Sequence, residues 1–237
     1  MIEIEKLQKR FGRLEVLKSL DLSIPRGGIH AVLGPNGSGK TTLIKSILGM
    51  VVPDAGSIRI AGEPVVGEWK YRDNISYLPQ IAHFPANLTV RELIRMIRDL
   101  RARPARDEAL IRHFRIEPFL DKRLGHLSGG TRQKVNLVLA FMFEADLVLL
   151  DEPTSGLDPV SIVRLRELLA REREAGRTII VTTHIMSLAE EIADEVIFVL
   201  EGRIHFQGTL TEIRNRTGQA TLETAIAAIL SEHQPSA

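Results

Sequence analysis

The sequence predicts a mixed α/β fold whose core is a largely parallel sheet. Near-continuous apolar runs alternate with helical patterns, which is typical of βαβ units with strands buried on both faces. The first sixty or so residues alternate polar and apolar positions between glycine and proline turns, which indicates antiparallel strands. The middle of the chain is almost purely helical. We therefore expect a sheet core that carries an N-terminal β layer and a helical insertion.

In chain order, the antiparallel strands are predicted at IEIEKL, LDLSI and SIRIAG, and the buried strands at 29–34, 147–150, 178–183 and 195–200. The helical insertion runs from Leu88 to about Phe143. Its first helix places apolar residues at helical spacing, namely Leu93, Ile94, Ile97 and Leu100. We predict one domain over 1–217, with a helical subdomain at about 88–143, followed by a short helical extension over 218–237.

The composition excludes several classes of protein. The 237 residues contain no cysteine, which removes disulfides, thiolate nucleophiles and thiolate metal sites. The net charge of +1 provides no overall field that would attract nucleic acid. The N-terminal segment alternates charges where a signal peptide would have an apolar core, and no apolar run approaches the length of a membrane span. These features predict a cytosolic globular protein.

A glycine-rich segment fits the phosphate-binding pattern G-x-x-x-x-G-K-[ST] at every fixed position: Gly34, Pro35, Asn36, Gly37, Ser38, Gly39, Lys40 and Thr41. It follows a predicted strand and opens a helix with an apolar stripe. Glycines let backbone N–H groups turn towards phosphate oxygens, and the helix N-terminus adds partial positive charge. Lys40 places a charge near the β- and γ-phosphates, and the Thr41 hydroxyl can bind Mg²⁺. The alternative is an ordinary glycine-rich turn before a helix, but such a turn would not need the specific residue at every fixed position of this pattern.

Two carboxylates end the predicted strand LVLLDE. Asp151 is placed to hold Mg²⁺, and Glu152 to activate an attacking water, although the segment could instead cap the following turn. Further along, Asp158 precedes a proline that starts a helix. Upstream, Ser128 to Gly130 open another helix, whose amides and serine hydroxyl are expected to be free for an anion.

The order GPNGSGKTT, SYLPQ, LSGG, LLDEPTSGLD and TTH resembles the ATP-binding cassette of ABC transporters. The resemblance covers about residues 1–207. It implies a P-loop NTPase with a mixed, mainly parallel sheet, an N-terminal antiparallel β layer and a helical signature subdomain. It also implies ATP and Mg²⁺ as ligands, and ATP hydrolysis as the reaction.

The resemblance assigns roles to individual positions. Glu152 is expected to be the general base, His184 the switch histidine at the γ-phosphate, and Gln80 a ligand of Mg²⁺ and the attacking water; Thr41 and Asp151 complete the metal site. Phe11 is expected to stack on adenine, Val16 to contact the base and ribose, and Gly34 to Thr42 to bind the phosphates. Ser128, Gly129 and Gly130 are expected to contact the ATP of the opposite subunit, and Asp158 to couple the two sites. Phe11, Gln80 and His184 also have ordinary alternatives, as a packed ring, a loop glutamine and a solvated histidine.

The same resemblance implies a head-to-tail homodimer, or a pair with another ATPase subunit, with ATP at the interface. The signature helix is not expected to reach its own phosphate loop, so a single copy is an incomplete enzyme. The partner is a separate transmembrane permease, and the chain would lie peripherally on the cytoplasmic face of the inner membrane. No nucleic-acid partner is expected.

The transported substrate is less defined. The C-terminal tail resembles drug- and lipid-export ATPases, whereas the segment 127–143 is similar to the ATPase of nitrous oxide reductase copper-centre maturation. The alternatives are a soluble ABC-type ATPase acting on ribosomes or nucleic acid, and a phosphate-loop kinase, which would not need LSGG or the histidine.

Two local features also lead to expectations. Thr131 stands where the family commonly has glutamine, which puts the fine geometry of the dimer interface in doubt. Arg91, Arg95 and Arg98 share a helical face opposite the apolar stripe. That face is either simply solvated or contacts lipid head groups or an acidic permease loop.

Overall fold

The computed structural model describes residues 1–101 and 103–232, and its strands form two sheets. In chain order the strands are β1 (Ile2–Phe11), β2 (Leu14–Ile24), β3 (Gly28–Leu33), β4 (Ala55–Ile60), β5 (Glu63–Pro64), β6 (Ile75–Leu78), β7 (Leu147–Asp151), β8 (Thr178–Thr183), β9 (Glu195–Leu200) and β10 (Arg203–Thr209). The helices are α1 (Lys40–Ile47), α2 (Val90–Arg101), α3 (Asp107–Phe114), α4 (Gly129–Phe141), α5 (Pro159–Glu174), α6 (Met186–Ile192), α7 (Leu210–Thr217) and α8 (Leu222–Glu232).

The larger sheet has the strand order β10-β9-β3-β8-β7-β6, and its pairs are parallel except for β10 with β9. The smaller sheet, β2-β1-β4-β5, is antiparallel throughout. All residues of β7 and β8 are buried, which explains why their sequences are continuous apolar runs and not alternating ones. The predicted mixed α/β fold with an N-terminal antiparallel layer is confirmed.

Helix α1 lies between the two sheets. Its residues Leu43 and Ile44 belong to one buried cluster with Leu7 and Leu22 of the small sheet and with Leu149 of the large sheet. The phosphate-loop segment, which directly precedes α1, is therefore fixed from both sides.

The segment predicted as helical, 88–143, contains α2, α3 and α4, with two short 3-10 helices, Glu117–Phe119 and Leu124–His126, between α3 and α4. Thr89 and Glu92 form reciprocal contacts at the start of α2, because the Thr89 amide donates to Glu92 Oε2 (2.8 Å) and the Glu92 amide donates to Thr89 Oγ1 (3.2 Å). Phe114 of α3 and Phe141 of α4 are buried in the cluster that fills this subdomain.

The apolar stripe predicted for α2 is shorter than expected. Leu93 and Ile94 are buried and Ile97 packs against the same cluster, but Leu100 is 74% exposed. Leu100 keeps the predicted helical spacing but lies outside the buried part of the stripe, because the last turn of α2 extends past the core of the subdomain.

The arginine face of α2 contains ion pairs within the chain. Arg91 Nε lies 2.8 Å from Asp121 Oδ1, Arg98 pairs with Asp107, and Arg95 Nε lies 3.9 Å from Asp99 Oδ2. Arg91 and Arg98 are thus partnered inside the subdomain. The sequence suggested that all three arginines could contact lipid head groups or an acidic permease loop. In the structure, two of them, Arg91 and Arg98, already have acidic partners within the chain.

The C-terminal helix packs onto the large sheet. Leu222, Ala225, Ile226 and Ile229 of α8 are buried in a cluster that includes Leu33 and Phe198 of the sheet. Gly218, with φ of 68°, ends α7 at the point where we predicted the extension to begin. Within the described residues, none of the helices is sufficiently long and apolar to cross a membrane.

Candidate functional site

The candidate site lies at the carboxyl edge of the large sheet, where four neighbouring parallel strands end. The register pairs Leu78 with Leu150, Asp151 with Thr182, and Leu33 with Thr183, so the segments after β6, β7, β8 and β3 leave the sheet together. This edge is where open α/β sheets bind ligands.

The phosphate-loop segment Gly34–Gly39 connects β3 to α1. Gly37 and Gly39 have φ of 81° and 108°, which favours glycine, and Gly39 directly precedes the helix. Lys40 folds back across the segment, and its Nζ donates to the carbonyls of Gly34 (2.7 Å) and Pro35 (3.1 Å). Burial lowers the pKa of Lys40, whereas the negative charges of Glu152 and Asp151 act in the opposite direction.

The phosphate-loop segment is enclosed by its neighbours. A Cβ on Gly34 would lie 2.1 Å from the Val199 carbonyl oxygen, and one on Gly39 would lie 3.0 Å from the Val16 carbonyl oxygen. Behind it, the amide of Gly202 in the β9–β10 turn donates to the Ser38 carbonyl (3.0 Å). The backbone of this segment is therefore tied to both sheets.

The residues present fit a nucleotide phosphate and a hard cation. Among the described residues, Ser38 Oγ is buried and has no hydrogen-bond partner, which is costly for a hydroxyl unless a ligand supplies one. Thr41 Oγ1 donates to Asp151 Oδ2 at 2.9 Å, and Asp151 is 1% exposed. A hydroxyl and a carboxylate in contact at the end of a phosphate loop are the oxygen ligands that Mg²⁺ prefers.

Glu152 and His184 are brought together across two strands. Both carboxylate oxygens of Glu152 lie 3.0 Å from His184 Nδ1. Glu152 is 5% exposed and has φ of 50°, a left-handed backbone that is unusual for a residue other than glycine. The His184 side chain is 57% exposed, so the pair faces solvent on the histidine side. The arrangement provides a carboxylate base beside an accessible imidazole.

Gln80 follows β6 by two residues and is exposed. Its strand adjoins β7, and burial together with the negative charge of Asp151 raises the pKa of Tyr77 in β6 to about 12. Within the described ranges, the Gln80 side chain makes no hydrogen bond, so the structure places Gln80 after β6 at the carboxyl edge of the sheet without fixing the direction of its side chain.

The two residues predicted to contact the base and ribose lie on either side of the β1–β2 turn. Phe11 is 50% exposed, and Lys9 Nζ lies 5.4 Å from the centre of its ring. Val16 is half-buried and packs on Gly39, since its Cγ1 would lie 3.7 Å from a Cβ there. Val16 thus lies beside the phosphate loop, and Phe11 presents an exposed aromatic ring at the end of β1.

The segment that opens α4 differs in one respect from its prediction. Ser128 Oγ accepts a hydrogen bond from the Thr131 amide (3.3 Å) and lies 2.9 Å from Thr131 Oγ1. The expectation that this hydroxyl is free was therefore wrong, because Ser128 caps its own helix. A Cβ on Gly130 would lie 2.5 Å from the Gly156 carbonyl oxygen, whereas Gly129 has open space around it.

Asp158 caps α5 and contacts α4 as well. Its Oδ1 accepts from the Ser161 amide at 2.9 Å, and Lys134 Nζ lies 2.8 Å from Oδ2. The contacts to Lys134 and Ser161 hold the pKa of Asp158 well below its usual range. Asp158 thus joins the start of α5 to the helix that begins at Ser128.

Three residues to which the motifs assigned no role also contact the site. Thr182 donates to Asp151, Gln133 Nε2 donates to the Pro153 carbonyl at 3.0 Å, and Lys134 pairs with Asp158. Thr182 could have been found from the sequence, because β7 and β8 are neighbours that end at one edge. Gln133 and Lys134 carry no such signal, since a polar side chain on a helix gives no information about its partner.

The comparisons with known proteins agree with this geometry. The family model described as "ABC transporter" matches residues 17–155. The chain is 37% identical over 212 residues to the "Nod factor export ATP-binding protein I" of Burkholderia lata, covering 85% of this chain and 68% of that protein. It is 34% identical over 231 residues to the "Daunorubicin resistance ATP-binding protein DrrA3" of Streptomyces coeruleorubidus, covering 95% and 73%.

Among solved structures, one described as the "ATP binding subunit of ABC transporter" superposes with a TM-score of 0.89 at 32% identity. The superposition covers 97% of this chain and 99% of that one. The α8 helix and the helical subdomain therefore belong to an arrangement that the two chains share along almost their whole length.

Proposed function

The chain belongs to the ABC transporter family, whose ATP-binding cassette is an ATP hydrolase with the α/β P-loop fold, and from this we propose that it powers a separate membrane permease. The observation that carries the proposal is the convergence of Lys40, the Thr41–Asp151 contact and the Glu152–His184 pair at one edge of the sheet. These are the groups needed to bind phosphates, hold a cation and activate water.

In this proposal, the N–H groups of Gly34–Thr42 and the Lys40 ammonium bind the phosphates of ATP, and Phe11 with Val16 contacts the base and ribose. Thr41, Asp151 and Gln80 would hold Mg²⁺, which neutralises charge on the β- and γ-phosphates when bound. Glu152 accepts a proton from water as the water oxygen bonds to the γ-phosphorus and the bond to ADP breaks. His184 contacts Glu152 and orients it, and its exposed side faces the γ-phosphate.

We propose a head-to-tail homodimer, or a pair with another ATPase subunit, as the hydrolysing unit. Along 1–101 and 103–232, no hydrogen bond or ion pair connects 128–130 with 34–42. Ser128, Gly129 and Gly130 would therefore contact the ATP of the partner, and Asp158 would link that contact to its own site. ATP then strengthens the interface, and loss of the γ-phosphate weakens it.

The proposed assembly is peripheral, on the cytoplasmic face of the inner membrane, bound to a transmembrane permease of the export type. The names of the Nod factor export and daunorubicin resistance relatives support export. The role in nitrous oxide reductase maturation stays a prediction that rests on 127–143 alone. A soluble ATPase acting on ribosomes or nucleic acid is the alternative, and stimulation of hydrolysis by RNA or DNA without membrane association would favour it.

The test is the Glu152→Gln variant, compared with Glu144→Gln, in which the same change falls on a side chain that is 80% exposed. Loss of a general base lowers kcat by about 100-fold or more. We expect Glu152→Gln to bind ATP and to accumulate as an ATP-bound dimer in gel filtration, and Glu144→Gln to behave as wild type. Hydrolysis by Glu152→Gln at the wild-type rate would refute the assignment of the base.

A second experiment addresses the partner. The chain would be expressed together with the membrane proteins encoded by neighbouring genes, and membranes would be solubilised in detergent before purification. Co-purification with a multi-span permease, and ATPase activity that depends on it, are expected. If the chain purifies alone and nucleic acid raises its activity, the alternative function is correct.

A further inference from the structure

The backbone of Glu152 adopts an unfavourable conformation in a buried place. Its φ of 50° lies in the left-handed region, and the residue is 5% exposed. A residue with a side chain stays in this region only when its surroundings hold it there. The contacts around Glu152 therefore determine where its carboxylate points.

The first contact comes from Thr182 on the neighbouring strand β8. The Glu152 amide donates to the Thr182 carbonyl at 3.1 Å and lies 3.3 Å from Thr182 Oγ1. The same Oγ1 donates to Asp151 Oδ1. Thr182 is fully buried, so one hydroxyl contacts both the carboxylate of Asp151 and the backbone of Glu152.

The second contact comes from Gln133 on α4. Its Nε2 donates to the carbonyl of Pro153, the residue that follows Glu152, at 3.0 Å. Gln133 is 6% exposed, and its Oε1 lies 3.5 Å from the side-chain amide nitrogen Nδ2 of Asn136. Water has little access to replace this donor, so loss of the amide would leave the Pro153 carbonyl unpaired.

We propose that Thr182 and Gln133 are positioning residues that hold the backbone of Glu152 so that its carboxylate faces His184. Thr182 binds the amide of Glu152, and Gln133 binds the carbonyl of the next residue, Pro153. Both act through Glu152 without touching the reacting atoms. The inference rests on the proposed function, since it takes Glu152 as the base.

The proposal has a further consequence for α4. This helix begins at Ser128, which we assign to the ATP of the partner, and Gln133 lies just over one turn along it. In this proposal, the same helix would contact the partner's nucleotide through Ser128 and the backbone next to its own base through the bond from Gln133 to the Pro153 carbonyl.

The first test compares Thr182→Val, which keeps the shape and removes the hydroxyl, with Thr182→Ser, which restores it. Thr178→Val is the matched control, because Thr178 lies on the same strand, is equally buried, and also accepts a hydrogen bond, from the Gly27 amide at 2.8 Å. We expect Thr182→Val to lower kcat by about 10- to 100-fold with little change in KM for ATP. Thr182→Ser recovers most of the activity, and Thr178→Val retains it.

Gln133→Met provides an independent variant should Thr182→Val fail to fold, since methionine matches the length of glutamine without the donor. A fall in kcat of about tenfold at unchanged KM is expected. Wild-type kcat in both Thr182→Val and Gln133→Met would overturn the proposal.

The decisive measurement combines each change with Glu152→Gln and follows hydrolysis in a single turnover. If the two residues act through Glu152, their effects disappear once the carboxylate is absent. Effects that persist at full size in the Glu152→Gln background would show that Thr182 acts through Asp151 or through stability, which overturns the proposal. Failure of the proposed function is seen separately, because Glu152→Gln alone would then hydrolyse ATP normally.

Discussion

Replacing Gly130 or Gly129 with alanine makes the same chemical change at adjacent positions that have very different surroundings. At Gly130 a Cβ would lie 2.5 Å from the backbone oxygen of Gly156, whereas a Cβ at Gly129 would have no described atom within 4 Å apart from its chain neighbours and its own helix backbone. Both glycines stand in the first turn of α4. Comparing the two variants therefore separates the effect of the steric clash at Gly130 from any general effect of placing alanine in the first turn of α4.

The expected loss of stability in Gly130→Ala follows from the short distance between the added Cβ and the Gly156 oxygen. The Gly130→Ala contact must open by about 0.5–0.9 Å before it reaches the range of tolerated contacts, and backbone must move on both sides. Such overpacking costs about 1–3 kcal/mol, while alanine in a helix returns up to about 1 kcal/mol relative to glycine. For a chain of this size each kcal/mol shifts Tm by about 2–4 °C. We expect Gly130→Ala to lower Tm by a few degrees and Gly129→Ala to leave it unchanged or raise it slightly.

The assay is thermal unfolding of the nucleotide-free chain, followed by steady-state ATPase activity. Gly130→Ala displaces the turn that contains Gly156 and leads to Asp158. The rate of ATP hydrolysis should therefore fall even at temperatures where the variant is still folded. Gly129→Ala adds the same methyl group one residue earlier in α4 without this displacement. Equal Tm values for the two variants would refute the close approach of Gly130 to the Gly156 carbonyl.

Three other changes test separate contacts. Thr131→Val removes a hydroxyl that lies 2.9 Å from Ser128 Oγ, and we expect weaker ATP-driven dimerisation that Thr131→Ser restores; unchanged dimerisation would show that this contact is only structural. Lys40→Met removes charge-assisted donors, so ATP affinity measured by fluorescent-nucleotide titration should fall by about 10- to 100-fold, and an unaltered affinity contradicts the assignment. Because its contacts to Lys134 and Ser161 lower the pKa of Asp158, the stability it provides is present above its ordinary pKa and is lost as the pH falls below about 4. The Tm of Asp158→Asn should therefore depend less on pH in that range than the wild-type Tm, and parallel curves would disprove this.

The sequence allowed the sheet core, the N-terminal layer and the helical insertion to be predicted, because buried parallel strands have continuous apolar sequences and the exposed antiparallel strands alternate. The phosphate loop could be predicted because its glycines and lysine must occur at fixed spacing. The exposure of Leu100 could not be predicted, because helical spacing shows which side chains share a face, but not where the neighbouring core ends.

Contacts between distant segments could not be predicted in the same way. Arg91 is 30 residues from its partner Asp121, and its charge alone is equally consistent with a solvated side chain. Ser128 was predicted to be free because its capping contact with the Thr131 amide depends on the direction of the Ser128 side chain, which spacing does not determine. Gln133 is similar, since only the packing of α4 against the turn after β7 gives its amide a partner.

The β9–β10 turn has a practical consequence for protein engineering. Surface hairpin turns usually accept inserted tags or domains with little loss of stability. Here Gly202 donates to the Ser38 carbonyl and accepts from the Lys18 amide, and a Cβ at Gly202 would lie 2.2 Å from the Val16 carbonyl oxygen. An insertion at this turn would therefore alter the wall of the nucleotide pocket. The exposed turn at Gly218 between α7 and α8 is the more suitable position for a label.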